Sequence, residues 1–201
     1  MPRVVDHEAR RAEVVAALWR IVSREGLEAA TVRRVAAETG MSTSVVSHYF
    51  AGKDDLLRAA FRLVLDRGLA RAGAAPAGGL ARALLAVALP LDAERRVEAR
   101  IWIAFLGLAA SRPELAAEAR RVYRAWRGAL ADALRADGLR AGLDAEEEAA
   151  ALIALVDGLM VQAAFESWGL PPQRLLVLID ERLAALGIAR ENHPSPTPQT
   201  H

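Results

Sequence analysis

The feature that most constrains the fold is a stretch near the N-terminus that predicts two short helices joined by a tight turn. It spans residues 31–57 and reads TVRRVAAETGMSTSVVSHYFAGKDDLL. Thr31 and Ser42 are good N-caps, because a hydroxyl there accepts a hydrogen bond from an unpaired amide of the first turn. Gly40 is predicted to end the first helix, since glycine adopts the left-handed conformation at little steric cost. Lys53 marks the start of a further helix, so the stretch has the pattern of a helix-turn-helix.

The two short helices each have an apolar face and a polar face. Helical spacing predicts that the buried side chains are Val32, Val35, Ala36, Val45, Val46 and Tyr49. The opposite face of the second helix carries Thr43, Ser44, Ser47 and His48. A helix of this length, residues 43–49, is about 10 Å long and fits a DNA major groove about 12 Å wide. The alternative interpretation is an ordinary helical hairpin with polar outer residues.

The order of residues in this stretch resembles the N-terminal domain of the TetR family of transcriptional repressors. The shared pattern is T-x-x-x-V-A-x-x-x-G-M-S followed by V-V-S-H-Y-F-x-x-K-x-x-L. Within that family it is most similar to a group of choline-responsive repressors, which share S-T-x-x-x-S-H-Y-F-x-x-K-D. Two positions depart from the family: most relatives have glycine in place of Ser44 and tyrosine in place of Ser47. The phosphate contact of that tyrosine would then come from Tyr49 or His48.

The motif and the resemblance together predict a surface that contacts double-stranded DNA. Its residues are Thr31, Arg33, Arg34, Ser42, Thr43, Ser44, Ser47, His48, Tyr49 and Lys53. Lys53 is expected to contact phosphate. The recognition helix has no Arg, Asn or Gln, which make bidentate contacts to bases, so we expect modest direct readout aided by Arg33 or Arg34. The charge supports this weakly: residues 1–72 hold 12 basic and 9 acidic side chains, and residues 73–201 hold 14 and 16.

Composition predicts an all-α protein. Alanine, leucine and arginine are abundant and β-branched and aromatic residues are few, which favours helices over sheets. The spacing predicts nine helices, over residues 7–25, 32–39, 43–49, 53–72, 80–89, 93–110, 114–137, 144–168 and 171–186. There is no cysteine for disulfides, no signal peptide, and no uncharged run approaching the about 18 residues of a membrane span. We therefore expect a cytoplasmic protein without a membrane partner.

The predicted domains are a helix-turn-helix domain over residues 1–52, an effector-binding and dimerisation domain over 53–188, and a disordered tail over 189–201. Residues 73–79, rich in glycine and alanine, have the composition of a helix breaker. The helix over 53–72 would connect the two domains. The tail is polar and rich in proline.

Beyond the connecting helix, the C-terminal domain holds six of the ten aromatic residues, in pairs three positions apart. Each pair lies on one helix face, so the aromatic rings of three helices could line a cavity. With a carboxylate nearby, such a cavity suits a quaternary amine through cation–π attraction. The predicted effector-binding residues are Trp102, Phe105, Tyr123, Trp126, Asp157, Phe165 and Trp168, with Glu166 as a second counter-charge. The alternatives are aromatics that fill the core or a dimer contact, and a larger hydrophobic cation or neutral apolar effector.

The last two predicted helices are apolar on more than one face and must be buried on more than one side. In the TetR family the corresponding pair forms a four-helix bundle with a second copy. The resemblance and the pattern therefore predict a homodimer on a palindromic operator. The predicted interface residues are Leu152, Leu155, Val156, Leu159, Met160, Ala163, Leu175, Leu178 and Ile179.

Two other classes of protein fit the sequence less well. An enzyme using the C-terminal cavity would lack histidine there, since His7, His48, His193 and His201 lie in the first helix, the recognition helix and the tail. No nucleophile motif, metal-binding pattern or phosphate loop is present, so we predict no catalytic residue, metal or cofactor. A constitutive architectural DNA protein would not need so large an apolar helical domain. The preferred interpretation is a repressor released from DNA by a small-molecule effector.

Overall fold

The described parts of the chain form nine α-helices. The computed structural model describes residues 7–74, 79–164 and 170–188. The helices are α1 (His7–Glu25), α2 (Val32–Thr39), α3 (Thr43–Tyr49), α4 (Lys53–Gly73), α5 (Leu80–Ala86), α6 (Ala93–Ala109), α7 (Pro113–Ala136), α8 (Ala145–Ala164) and α9 (Pro172–Ala185), with a 3₁₀ turn over Leu27–Ala29. These ranges contain no strand, which confirms the all-α prediction.

Within the described residues the predicted helix bounds agree with these to within a few residues, and α5 differs most; residues 165–168 of the predicted helix 144–168 lie outside the described residues. It ends at Ala86 instead of near residue 89, because the chain tightens into i→i+3 hydrogen bonds ahead of Pro90 and a residue before proline is disfavoured in the α conformation. The predicted tail and residues 75–78 of the predicted helix breaker lie outside the described residues.

The turn between α2 and α3 is built as the sequence predicts. The backbone amide of Arg34 donates to Thr31 Oγ1 at 3.2 Å, and that of Val45 donates to Ser42 Oγ at 3.3 Å. Gly40 ends α2 in the left-handed conformation, with φ of 70°. The prediction that Val45 is buried is wrong: its side chain is 41% exposed, whereas Val46 is fully buried. Neighbouring helical residues point about 100° apart, and in α3 the core covers the side of Val46 and leaves Val45 partly exposed.

Two apolar cores run through the molecule. The first joins α1, α2 and α3 to the N-terminal half of α4, to α6 and to the start of α7, and its largest buried side chains include Phe50, Phe61 and Phe105. The second joins α5, the C-terminal half of α7, α8 and α9. The helix-turn-helix head (α1 to α3) therefore shares a core with half of the larger domain.

Ion pairs connect α4 along its length to α6, to α7 and to Arg112 between them. Near its start Asp54 pairs with Arg112, and Arg62 Nε donates to Glu118 Oε1 at 3.1 Å. Near its end Arg71 donates two hydrogen bonds to Glu98, one of them 3.0 Å from Nη1 to Oε1. A shift of α4 therefore has to break or stretch these contacts. Within the described ranges, no helix combines the length and apolar character needed to cross a membrane.

Candidate functional site

The outward face of α3 carries four of the predicted DNA-contact residues. Thr43, Ser44, Ser47 and His48 are all exposed. Ser42 caps the helix, and its Oγ also lies 2.8 Å from Ser44 Oγ. Most of these side chains are short, so the helix backbone has to approach the bases closely for any of them to make contact.

Tyr49 links the end of α3 to the start of α1. It is half-buried, and its Oη lies 3.1 Å from Nδ1 of His7. The ring of His48 meets the Tyr49 ring edge-on, with centroids 5.3 Å apart. The structure thus adds His7 to the predicted surface. Sequence reasoning missed it because 42 residues separate it from Tyr49 and no local spacing rule joins them.

Arg34 is held by carboxylates of the head itself. Its Nη2 lies 2.6 Å from Glu25 Oε1, and its Nη1 lies 3.1 Å from Glu38 Oε2. Hydrogen bonds from Arg24 and Arg20 to Glu38 lower the pKa of that carboxyl to about 2. Arg34 can reach DNA only by giving up some of these partners, so Arg33 is the better candidate for a backbone contact.

Arg33, Thr31 and Lys53 all lie on the exposed surface. No ion pair in the described part of the chain involves Arg33. Lys53 Nζ lies 2.6 Å from Glu28 Oε2, but the side chain of Glu28 is 92% exposed. Exposed pairs of this kind contribute little stability, and a DNA phosphate could replace the carboxylate.

A cavity of about 440 Å³ lies between α4, α5, α6 and α7, and Met160 of α8 also lines it. Its walls are mostly apolar and include Leu65, Leu84, Trp102 and Trp126. This volume falls within the range typical of sites for drug-sized ligands. The position between the connecting helix α4 and the rest of the domain makes it the candidate effector site.

The predicted aromatic cluster is only partly assembled at this cavity. Trp102 and Trp126 line it, and Tyr123 packs behind them with ring centroids 5.8 and 6.1 Å from the two indoles. Phe105 belongs to the core instead, where it stacks on Phe61 at 3.7 Å. The side chains of Phe165, Glu166 and Trp168 lie outside the described residues.

Asp157 lies behind the same rings. Its Oδ2 accepts a hydrogen bond of 2.8 Å from Tyr123 Oη, which in turn accepts one of 3.4 Å from Trp102 Nε1. Its Oδ1 is buried and has no hydrogen-bond partner among the described residues. Burial raises the pKa of Asp157, and burial together with the Asp157 carboxylate raises the pKa of Tyr123. A carboxylate oxygen without a donor would gain from a nearby cation.

Charged side chains that sequence reasoning missed also line the cavity. They are Arg95, Glu98 and Arg121. Glu98 is only 3% exposed and is neutralised by Arg71 of α4. Arg95 pairs with Asp92, with Nε 3.3 Å from Oδ2. The signal for Glu98 was a carboxylate one helical turn before Trp102 on α6, but its partner lies on another helix and could not be assigned from spacing.

The predicted dimer residues divide into two sets. Most are buried within this chain's own core: Leu152, Val156, Leu159, Met160, Leu175 and Ile179. Their side chains pack on α5, α6, α7 and the opposite helix of the α8–α9 pair, which leaves little of their surface for a second copy. Leu155, Ala163 and Leu178 are half-buried. The outward face of α8 instead presents small and apolar residues at helical spacing: Ala151, Ala154, Leu155, Gly158 and Val161.

Known protein families match most of the chain. Residues 14–60 match the model for bacterial regulatory proteins of the tetR family, and residues 76–187 match the C-terminal domain of BetI-type transcriptional repressors. The transcriptional regulator BetI of Burkholderia pseudomallei is 33% identical over 195 residues, covering 92% of this chain and 97% of that protein. The transcriptional regulator PksA of Bacillus subtilis is 28% identical over 206 residues, covering 96% of this chain and all of that protein.

Solved structures agree with this assignment. A transcriptional regulator from Rhodococcus sp. Rha1 superimposes with a TM-score of 0.74 at 33% identity, covering 88% of this chain and 95% of that one. A regulator from Saccharomonospora viridis in complex with choline has the same fold, with a TM-score of 0.75 at 23% identity over 88% of this chain and 96% of that one. The chain therefore belongs to the TetR family of bacterial transcriptional regulators and carries a BetI-type C-terminal domain.

Proposed function

We propose that this regulator is a homodimeric repressor that binds a palindromic operator and is released from it by a hydrophobic cation. Regulators of this family bind operator DNA, typically as dimers, and respond to small-molecule effectors. The operator, the dimer contact and the effector class are the parts specific to this chain. Each is supported by a different surface of the molecule.

The DNA contact is supported by the polar, exposed face of α3 and the cations beside it. Two copies of α3 related by a two-fold axis would enter successive major grooves about 34 Å apart. Arg33 and Lys53 would contact phosphates on either side, which fixes the register of the helix without reading sequence. Tyr49 and His7 supply a further polar group at the end of the recognition helix.

The dimer contact is supported by the outward face of α8. Ala151, Ala154 and Gly158 have small side chains or none, so a second helix can approach closely along this line. Val161 is exposed at 40% and would be covered by such a contact. Leu178 on α9 would extend the contact to both helices.

The observation that supports a cationic effector is the unpartnered carboxylate oxygen of Asp157, whose other oxygen is bonded to Tyr123 behind Trp102 and Trp126. Only the two tryptophans line the cavity, so a cation there would contact their rings, with Tyr123 and Asp157 supplying negative potential from behind. Each cation–π contact contributes about 0.5–2 kcal/mol. The choline complex of a regulator with the same fold makes choline the first ligand to test.

The size of the cavity favours a cation larger than choline. Choline has only a few heavy atoms, whereas 440 Å³ accommodates a much bulkier molecule. Apart from Arg95, Glu98 and Arg121 the remaining walls are apolar, so a quaternary amine with an aromatic or alkyl substituent would bury more apolar surface than choline and bind more tightly. A neutral apolar effector is the competing class.

Release from DNA follows if the ligand prefers a different position of α4. This helix lines the cavity through Val64, Leu65 and Gly68, and it begins at Lys53 on the DNA side. A ligand shifts such an equilibrium only by its difference in affinity for the two conformers. A tilt of α4 in both subunits would change the separation of the recognition helices, so that they no longer fit the two grooves together.

Calorimetry with a matched set of ligands tests the effector class. The set is choline, benzyltrimethylammonium, and 3,3-dimethylbutanol, which has the shape of choline without its charge. We expect the two cations to bind, the aromatic one more tightly, and the neutral alcohol to bind at least tenfold more weakly than choline. Asp157→Asn keeps an oxygen for Tyr123 but removes the charge, and should weaken only the cations.

Trp19→Phe is a control, since this tryptophan lies in α1 away from the cavity. Fluorescence anisotropy with an operator selected from random duplexes then shows whether the ligand that binds also releases DNA. Equal binding of the neutral alcohol, or cation binding unaffected by Asp157→Asn, would rule out the cation subsite while leaving the DNA-binding proposal standing.

A further inference from the structure

Val45 is exposed on the recognition helix because the fold fixes it there. Its backbone amide donates to the capping hydroxyl of Ser42, and the next residue, Val46, is fully buried in the first core. The cap and the buried neighbour together set the rotation of α3 about its axis. The side chain of Val45 is therefore turned about 100° away from that of Val46 and is 41% exposed.

A single exposed apolar side chain is ordinary on a protein surface and needs no explanation by itself. The position of Val45 makes its exposure relevant to DNA binding. Among the described residues only five large apolar side chains are exposed, and Val45 is the one that belongs to the helix-turn-helix. It is the third residue of α3, and in this motif the N-terminal residues of the recognition helix contact base edges.

The major groove offers few features that an apolar side chain can recognise. Base edges there carry hydrogen-bond donors and acceptors, and thymine alone adds a C5-methyl group. Valine has no polar group and keeps one strongly preferred rotamer in a helix, so its methyl groups are held in place before DNA binds. The other outward residues, Ser44 and Ser47, are small enough to let it approach.

We propose that Val45 is a specificity-determining residue that selects thymine in each operator half-site by contact with the C5-methyl group. The inference rests on the proposed operator binding and adds which base is read and by which side chain. It also supplies a base contact to a recognition helix that has no Arg, Asn or Gln. Such a contact is specific for thymine because no other base presents a methyl group at that place in the groove.

Deoxyuridine substitution is the direct test, because it removes the C5-methyl group and leaves base pairing unchanged. An operator is first selected from random duplexes with the purified full-length protein. Each thymine in the selected site is then replaced in turn by deoxyuridine, and affinity is measured by fluorescence anisotropy. We expect one position in each half-site to lose affinity by about fourfold, the effect of burying one methyl group, and both together by about fifteenfold.

The Val45→Ala variant should show no difference between thymine and deoxyuridine at that position. The side chain is exposed and alanine favours helices, so the variant should keep its helix content and its non-specific DNA binding. Thr43→Ser is the matched control: it removes a methyl group from the same helix and should keep the sensitivity to deoxyuridine.

Two results would overturn the inference alone: a selected operator in which no thymine responds to deoxyuridine, or a response that persists in Val45→Ala. A response abolished by Thr43→Ser but not by Val45→Ala would assign the methyl contact to Thr43 instead. Failure to select any sequence would overturn the proposed operator binding and this inference with it.

Discussion

Removing Arg71 should destabilise the protein because it leaves Glu98 charged and nearly buried beside the cavity. The side chain of Glu98 is 4% exposed and that of Arg71 is 26% exposed, and both carboxylate oxygens accept hydrogen bonds from the guanidinium group. Removing one partner of a buried pair costs about 3–5 kcal/mol. Since Arg71 is partly open to water, we expect Arg71→Met to lower the free energy of unfolding by about 3 kcal/mol. For a chain of this size that corresponds to a fall in Tm of about 6–12 °C.

The double variant Arg71→Met/Glu98→Met distinguishes the free-energy cost of an unpaired buried charge from the cost of lost packing. Replacing both members of a buried pair by apolar residues is often neutral or stabilising, so the double variant should recover most of the lost stability. Arg174→Met is the control, because its pair with Glu181 is exposed on both sides and should contribute less than about 1 kcal/mol.

Urea unfolding followed by circular dichroism measures these differences, at one protein concentration throughout because dimerisation contributes to stability. Two outcomes refute the reasoning. One is an Arg71→Met variant within about 1 kcal/mol of the wild type, which would mean that water reaches Glu98 freely. The other is a double variant no more stable than the single one.

Three further predictions follow from the head and from the outer face of α8. The pKa of Glu38 is lowered from 4.5 to about 2 on folding, so its stabilising effect is present above pH 4.5 and is lost as the pH falls toward 2. Urea unfolding across this pH range should show a smaller loss of stability for Glu38→Gln than for the wild type, and equal losses of stability would contradict the prediction. Lys53→Ala should weaken binding to all DNA sequences and reduce the salt dependence by about one ion, whereas Glu28→Gln should strengthen binding; anisotropy measured over a range of salt concentrations checks both. Ala154→Arg should give a monomer in sedimentation velocity and Ala117→Arg, exposed on α7, should not; a dimeric Ala154→Arg would place the contact elsewhere.

The head was predictable from sequence because local hydrogen bonds decide its shape. Thr31, Gly40 and Ser42 act within three or four residues of their own positions, and each adopts the predicted role. Val45 shows the limit of that reasoning. Two adjacent valines were both expected inside, but the core packs against α3 only on the side of Val46.

The larger domain was less predictable because its contacts join distant residues. Residues 102 and 105 share a helix face only approximately, and a difference of about 60° is enough to turn Phe105 onto Phe61 while Trp102 faces the cavity. Apolar content located α8 and α9 correctly, but it did not indicate which faces the chain itself covers. Arg71 and Glu98 belong to two different helices and are 27 positions apart in sequence, a separation at which no spacing rule applies.

The core shared by the head and the larger domain limits how such regulators can be recombined. A chimera cut at residue 52 would separate Phe50 and Val46 from Phe61 and Phe105, which lie in one apolar core. The apolar surface exposed by that cut would have to be complementary to the effector-binding domain to which the head was joined. A transferable unit would instead comprise α1 to α4 together with the residues of α6 that pack on them. Changes in DNA preference are therefore easier to obtain by substitutions on the outer face of α3 than by exchange of whole heads.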